Sequence, residues 1–165
     1  MNYMQNGTGY DISIYSGQNG YVYNTTNNTL TQIPDFQGSI ACGFLDQYMI
    51  GLLPDGSYWF TSDVADPLAF SFFDKYSSEA SPDILVGLAV TTREIWVFNQ
   101  STIEIFYNAG QQFERNNGAV IQRGCMANNS IQVVNGAPIW LGDDGRVYMA
   151  NGYQAQAIST PAIES

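Results

Sequence analysis

The sequence predicts an all-β chain, and three observations carry that expectation. Turn-forming dipeptides recur between apolar or aromatic runs at Asn19-Gly20, Asp55-Gly56, Asn135-Gly136, Asp144-Gly145 and Asn151-Gly152, the residue types that tolerate the positive φ of tight hairpins. No window sustains a 3.6-residue apolar period, and the one helix-tolerant patch, Ser77 to Ala80, runs straight into Ser81-Pro82, where helix is disfavoured. Equivalent strand pieces follow the turns: Tyr21-Val22-Tyr23, Tyr58-Trp59-Phe60, Glu104-Ile105-Phe106 and Val147-Tyr148-Met149, with centres 37, 46 and 43 residues apart. That recurrence is a propeller-blade period.

Taken in order, each unit offers the strands of one antiparallel blade. Before the equivalent pieces lie Asp11 to Tyr15, Tyr48 to Leu53, Glu94 to Phe98 and Ala137 to Leu141, and after them the more polar Thr29 to Ile33, Ala69 to Phe73, Gln112 to Arg115 and Gln154 to Ser159. Ile40 to Leu45, Ile84 to Val90 and Met126 to Val134 supply innermost strands for three units. The first unit shows no such strand before Asp11, and Asn6-Gly7 and Asn117-Gly118 have weak flanks that mark loops. The expectation is therefore a β-propeller-like chain, residues 1–165 as a single domain, with about four consecutive blades, three full and one partial. Such an arc leaves apolar faces at its ends, with Thr160 to Ser165 running on as if toward another strand, so something is expected to cover them: a second copy is the simplest supplier, another protein or rearranged terminal segments the alternatives. The most regular piece is the hairpin from Arg93 to Asn108, where Glu94, Trp96 and Phe98 share one pleat face and Ile95 and Val97 the other. With neither face cleanly polar, it belongs between two packed layers, with Trp96, Ile105 and Trp140 buried between blades.

Composition narrows the function. The 165 residues are 45% hydrophobic and 14% aromatic, enough to bury a core. Fifteen acidic against five basic residues give a net charge of −10, which argues against tight binding of a phosphate backbone unless Arg93, Arg115, Arg123 and Arg146 converge. Met1 to Asp11 carries no basic residue, and the longest apolar run, Ile84 to Val90, is too short to span a bilayer, so neither a signal peptide nor a membrane helix is expected. Cys42 and Cys125 read as two separate thiols, which fits a reducing compartment.

No residue cluster compels a reaction. Glu94 and Glu104 stand on paired strands and are the candidate acid and base of a glycosidase, although a structural role inside a blade hairpin competes with that reading. Asp143-Asp144-Gly145 reads as a turn, because the alternating oxygen ligands of a calcium loop are missing. Arg115 and Arg123 are candidates for phosphate contact or for inter-subunit or loop hydrogen bonds. The chain has no histidine, so the commonest general base and metal ligand is lacking, and no cofactor is expected. The histidine-free sequence, with no Trp-Asp or Gly-Gly pair, lacks the usual WD40 and kelch signatures. The tyrosines and tryptophans suit inter-blade packing or, in a rival reading, a sugar platform.

From Arg93 onward a resemblance enters. Glu94-Ile95-Trp96-Val97-Phe98, Thr102 to Gly110, Phe113-Glu114-Arg115, Gly118 to Cys125 and Gly152 to Thr160 strongly resemble the packaged-DNA stabilisation proteins of short-tailed bacteriophages, which are tail hub or nozzle proteins. The resemblance is specific over residues 93 to 165, fainter from 36 to 92 and absent before that. The residues singled out as its structural signature are Trp96, Phe98, Ile105, Phe106, Tyr107, Gly110, Gly118, Gly124, Cys125 and Trp140. It implies a non-enzymatic virion component, made in the host cytoplasm, oligomeric beneath the portal, that helps retain the packaged genome and provides attachment for other tail proteins. It also implies that the chain corresponds to a portion of a longer architecture. A carbohydrate-binding propeller is the alternative, and a propeller glycosidase a distant third.

Overall fold

The computed structural model describes residues 1–80 and 82–160, Phe72 by its backbone alone. The expectation for Thr160 to Ser165 therefore concerns residues, 161–165, that lie outside the described ones. Sixteen strands, β1 (Asn2–Asn6), β2 (Gly9–Tyr15), β3 (Gly20–Asn24), β4 (Thr29–Gln32), β5 (Cys42–Leu45), β6 (Tyr48–Leu52), β7 (Trp59–Asp63), β8 (Asp66–Tyr76), β9 (Leu85–Val90), β10 (Glu94–Asn99), β11 (Ile103–Asn108), β12 (Phe113–Arg115), β13 (Gln132–Val134), β14 (Ala137–Leu141), β15 (Val147–Asn151) and β16 (Gln154–Ala157), form four antiparallel four-stranded sheets in chain order. Each sheet is a meander, the pattern of a propeller blade. The chain divides into two compact units, Met1–Ser77 with the first two blades and Ser78–Ser165 with the last two.

The four strand pieces singled out by their spacing all sit in the third strand of a blade: β3, β7, β11 and β15. The first blade differs from the expectation, because β1 completes it: Asn2 pairs with Ser13 and Asn6 with Gly9. Asn2–Asn6 is polar except for Tyr3 and Met4, and only Met4 is buried, so an edge strand with one inward apolar side chain left no alternation to read. The turn between β1 and β2 is built on Gly7 at φ 63°, so Asn6-Gly7 is a hairpin turn rather than a loop. Conversely Asn19-Gly20 is no turn centre. Gly20 already belongs to β3, and the reversal is made upstream with Gly17 at φ 83° and the Ser16 N–H donating to the Asn19 carbonyl at 2.9 Å. Asn135-Gly136, at φ 50° and 77°, has the paired positive values of a type I′ turn. Asp46-Gln47, at φ 49° and 69°, does the same between β5 and β6 with no glycine to announce it.

In the second unit, cross-strand partners place Glu94, Trp96, Phe98, Ile103, Ile105 and Tyr107 on one face of the third blade and Ile95, Val97, Glu104 and Phe106 on the other. The first face packs on Trp140, Tyr148 and Ala150 of the fourth blade, in a cluster closed by Ala119, Ile121 and Cys125. Trp140 meets Phe98 edge-on at 5.3 Å and stacks on Tyr148 at 5.8 Å, geometries favoured by ring quadrupoles. The first unit buries Met4, Val22, Leu45, Met49, Ile50, Leu52 and Trp59, with Trp59 stacked on Tyr76 at 4.4 Å.

The two blades of each unit are joined by the same device. Gln37-Gly38-Ser39-Ile40-Ala41 and Arg123-Gly124-Cys125-Met126-Ala127 are matching connectors. In the first, the Ser39 N–H donates back to the Gly17 carbonyl (2.7 Å) and the Ile40 N–H forward to Leu52 (3.0 Å); in the second, the Cys125 N–H donates back to Asn99 (2.9 Å) and the Met126 N–H forward to Leu141 (3.0 Å). The glycine is required at both. A Cβ on Gly38 would lie 2.3 Å from the Gly17 oxygen and one on Gly124 1.8 Å from the Gln100 oxygen, distances that no side chain survives. The chain is thus a tandem pair of two-blade units.

Candidate functional site

Two polar clusters stand out in the second unit. The first surrounds Glu104, whose position on β11 alternates inward opposite Val97. Its side chain is fully buried, and its carboxylate accepts from Arg115 Nη1 (2.9 Å), the Ala80 N–H (2.6 Å) and the Glu79 N–H (3.1 Å). A buried carboxylate is tolerable only with such a set of charge-assisted partners. Asn99, on the same face, donates to Ser78 Oγ and Thr102 Oγ1, each at 3.2 Å. Ser77 to Ala80 is not helical, and the segment spends two amides, those of Glu79 and Ala80, on Glu104.

The second cluster lies where the Arg123 connector meets the turn between β14 and β15. Arg123 Nη1 lies 3.0 Å from Asp143 Oδ1 and 3.3 Å from Asp144 Oδ2. The Gly124 N–H donates to Asp143 (3.1 Å), the Tyr148 hydroxyl donates to Asp144 (2.6 Å), and Trp140 Nε1 donates to the Gly124 carbonyl (3.2 Å). The hydrogen bond to Asp143 raises the Arg123 pKa. Desolvation pushes the Asp144 carboxyl up, but the Tyr148 hydroxyl, the Arg146 amide and Arg123 together hold it below its ordinary value. Asp143 and Asp144 thus share Arg123, with Arg146 3.9 Å from Asp144, in the turn between β14 and β15. Among the described residues no group of three or more acidic or thiol side chains is placed to hold a metal.

The candidate acid and base do not converge. Glu94 pairs with Tyr107 and Glu104 with Val97, positions three apart on β10, so they point to opposite faces of the sheet. Glu94 instead accepts from the Tyr153 hydroxyl. Of the signature residues, Trp96, Phe98, Ile105, Phe106, Cys125 and Trp140 are buried and Gly124 is the connector pivot. Tyr107 is 41% exposed with its hydroxyl on Glu114 (3.2 Å), and Gly110 and Gly118 lie in exposed turns. These three stand apart from the core. Cys42 and Cys125 are free, and burial raises both thiol pKa values, Cys42 to about 11. One recess in the first unit, about 460 Å³, is lined by Phe36, Phe60 and Phe70 together with the polar Asp35, Gln37, Asp63, Ser71 and Lys75. Phenylalanine rings offer sugar hydroxyls no hydrogen bond.

The geometry is therefore that of a stapled scaffold, and the comparison with known families agrees. A family model described as bacteriophage P22 Gp10, beta-propeller, matches residues 3–165. The chain belongs to that family. The P22 Gp10 match extends through the first blade, where the sequence resemblance had stopped, and makes this a phage stabilisation and tail type of protein with a β-propeller fold. A comparison with curated proteins gives no match. Within the P22 Gp10 family reading, the two clusters act as staples: one fixes the segment entering the third blade, the other fixes the third blade to the fourth. The staples were missed in the sequence because each joins residues 11 to 25 positions apart. The one available signal was the repeated Gly-Ser-Ile-Ala and Gly-Cys-Met-Ala.

Proposed function

We propose that the chain is a structural component of the phage tail hub, or nozzle, lying below the portal, where it helps retain packaged DNA and gives other tail proteins a surface to attach to. The observation that carries this reading is the family match over residues 3–165. Residues 1–165 then act as one propeller-type domain in an oligomer within the virion. Charge supports a passive role toward DNA. Arg115, Arg123 and Arg146 lie against carboxylates and Lys75 lies over the Tyr58 ring, which offsets their attraction for phosphates, and the net charge of −10 resists adhesion of the passing backbone. The occupied carboxylates likewise support a non-enzymatic role.

Phage particles made without this protein are expected to fill with DNA at the ordinary rate and then to lose it, measured as nuclease-sensitive genome in purified particles. Adding back the intact chain should restore retention, and the free chain should show no submicromolar, salt-sensitive affinity for bare DNA. Particles that hold their genome without it would contradict the proposal.

A further inference from the structure

The second unit fills the joint between its two blades with a cation of its own. Arg123, the residue before the connector glycine Gly124, lies 5.2 Å over the Tyr148 ring and against Asp143 and Asp144, and Trp140 stacks on the same ring. The first unit has the matching joint with other residues in it. The Ile40 N–H donates to the Leu52 carbonyl as the Met126 N–H donates to that of Leu141, so Gly51 in β6 corresponds to Trp140 in β14, and their cross-strand partners, Phe60 and Tyr148, correspond in turn. Gln37, the residue before Gly38, stands where Arg123 stands. The turn amides of Gly56 and Gly145, which donate to Leu53 and Gly142, set Pro54 in the place of Asp143. Where the second unit has a guanidinium and an indole, the first has an amide and a bare glycine, and a recess of about 460 Å³ opens beside Gln37, Leu53 and Phe60, a volume suited to a small guest.

The lining suits a cation. Phe36, Phe60 and Phe70 meet edge to face with centroids 5.6 to 6.0 Å apart, and all three are half-buried, so ring surface stays open. An aromatic face attracts a cation through its quadrupole, and a planar guanidinium also stacks on it. Asp35 and Asp63 are exposed beside the rings, and Asp74 lies near enough to Asp63 that burial and the Asp63 charge together raise its pKa. Lys75 also lines the recess, but its ammonium lies 4.5 Å over the Tyr58 ring, and the two carboxylates outnumber it. We propose that this recess takes an arginine side chain presented by a partner protein: the guanidinium lies on the phenylalanine rings and pairs with Asp35 or Asp63, as Arg123 lies on Tyr148 and pairs with Asp143 and Asp144 in the second unit. Arginine fits better than lysine, because a planar fork can stack on a ring and bond a carboxylate at once, whereas an ammonium is a point charge. The chain's net charge of −10 steers a basic partner toward it. This inference goes beyond the tail-hub reading and is tested with the free chain, so either can fail alone.

The test is amide NMR of the isotope-labelled chain titrated with N-acetyl-arginine N-methylamide, which carries the side chain without a free carboxylate. At millimolar probe the amide signals of Gln37, Phe60 and Phe70 should shift, and the citrulline analogue, which is neutral and nearly the same shape, should leave them in place. Asp63→Asn, at an exposed position, should weaken binding about twofold to fivefold, as expected for one solvent-exposed ion pair. Gln37→Arg, also at an exposed position, installs the arginine of the second unit and should fill the recess from within, abolishing the response; the same spectra show whether each variant is folded. No shift with the arginine probe, an equal response to the citrulline analogue, or unchanged binding in Gln37→Arg overturns the proposal. Equal affinity for putrescine, a diamine with no planar group, overturns it as well and assigns the recess to a free polyamine.

Discussion

Trp140→Ala is expected to lower the stability of the chain by about 3–5 kcal/mol, the range for truncating a large aromatic side chain in a packed core. The side chain is fully buried at the centre of the second unit, between Phe98 and Tyr148, and its removal also takes away one of two donors to the Gly124 carbonyl, Nε1 at 3.2 Å, leaving the Asp143 N–H at 3.2 Å. Packing and the connector are weakened together. Trp140→Phe keeps much of the ring contact and loses one donor to a carbonyl that keeps another, for which the expected cost is smaller, about 0.5–1.5 kcal/mol. Denaturant unfolding of both variants checks the order: an Ala variant unfolding at the wild-type midpoint would mean that the fourth blade does not pack on the third through this face.

The second large effect is expected at Arg115. Replacing it with alanine leaves the buried Glu104 carboxylate with backbone amides alone, and breaking a buried pair from one side costs roughly 3–5 kcal/mol. Because a fifth of the Arg115 side chain remains exposed, solvent softens the loss, and about 2–3 kcal/mol is expected. The combined Glu104→Leu/Arg115→Leu variant should recover much of that loss, since no charge is then left buried. Equilibrium unfolding of the single and double variants forms the cycle. Arg115→Ala with wild-type stability would show that the pair does not staple the segment before the third blade.

Much of this architecture was legible because the third strand of each blade carries its period in Val22, Trp59, Ile105 and Tyr148, residues that fill the space between neighbouring sheets and so vary little in character. β1 was not legible, since a polar strand with Met4 alone turned inward gives no alternation. The Asp46-Gln47 turn was hidden for a different reason: tertiary context holds both residues at positive φ without glycine. For Glu104 the sequence left a catalytic and a structural role side by side, because its partners, Arg115 and the amides of Glu79 and Ala80, come from distant chain segments. Sequence alternation revealed that Glu94 and Phe98 share a face, but only the register with β11 showed Glu104 on the other. The signature residues divide along the same line, buried side chains such as Trp96 and Phe98 being readable from pattern, and the pivot at Gly124 only from the approach of the Gln100 carbonyl.

Electron cryomicroscopy of purified virions, with the chain's identity checked by mass spectrometry of the same particles, tests the central claim most directly. The account predicts that the chain is a stoichiometric virion component and that its four four-stranded sheets, with β1 completing the first, fit density in the tail below the portal. Its absence from purified particles, or its location away from the tail, would contradict the account.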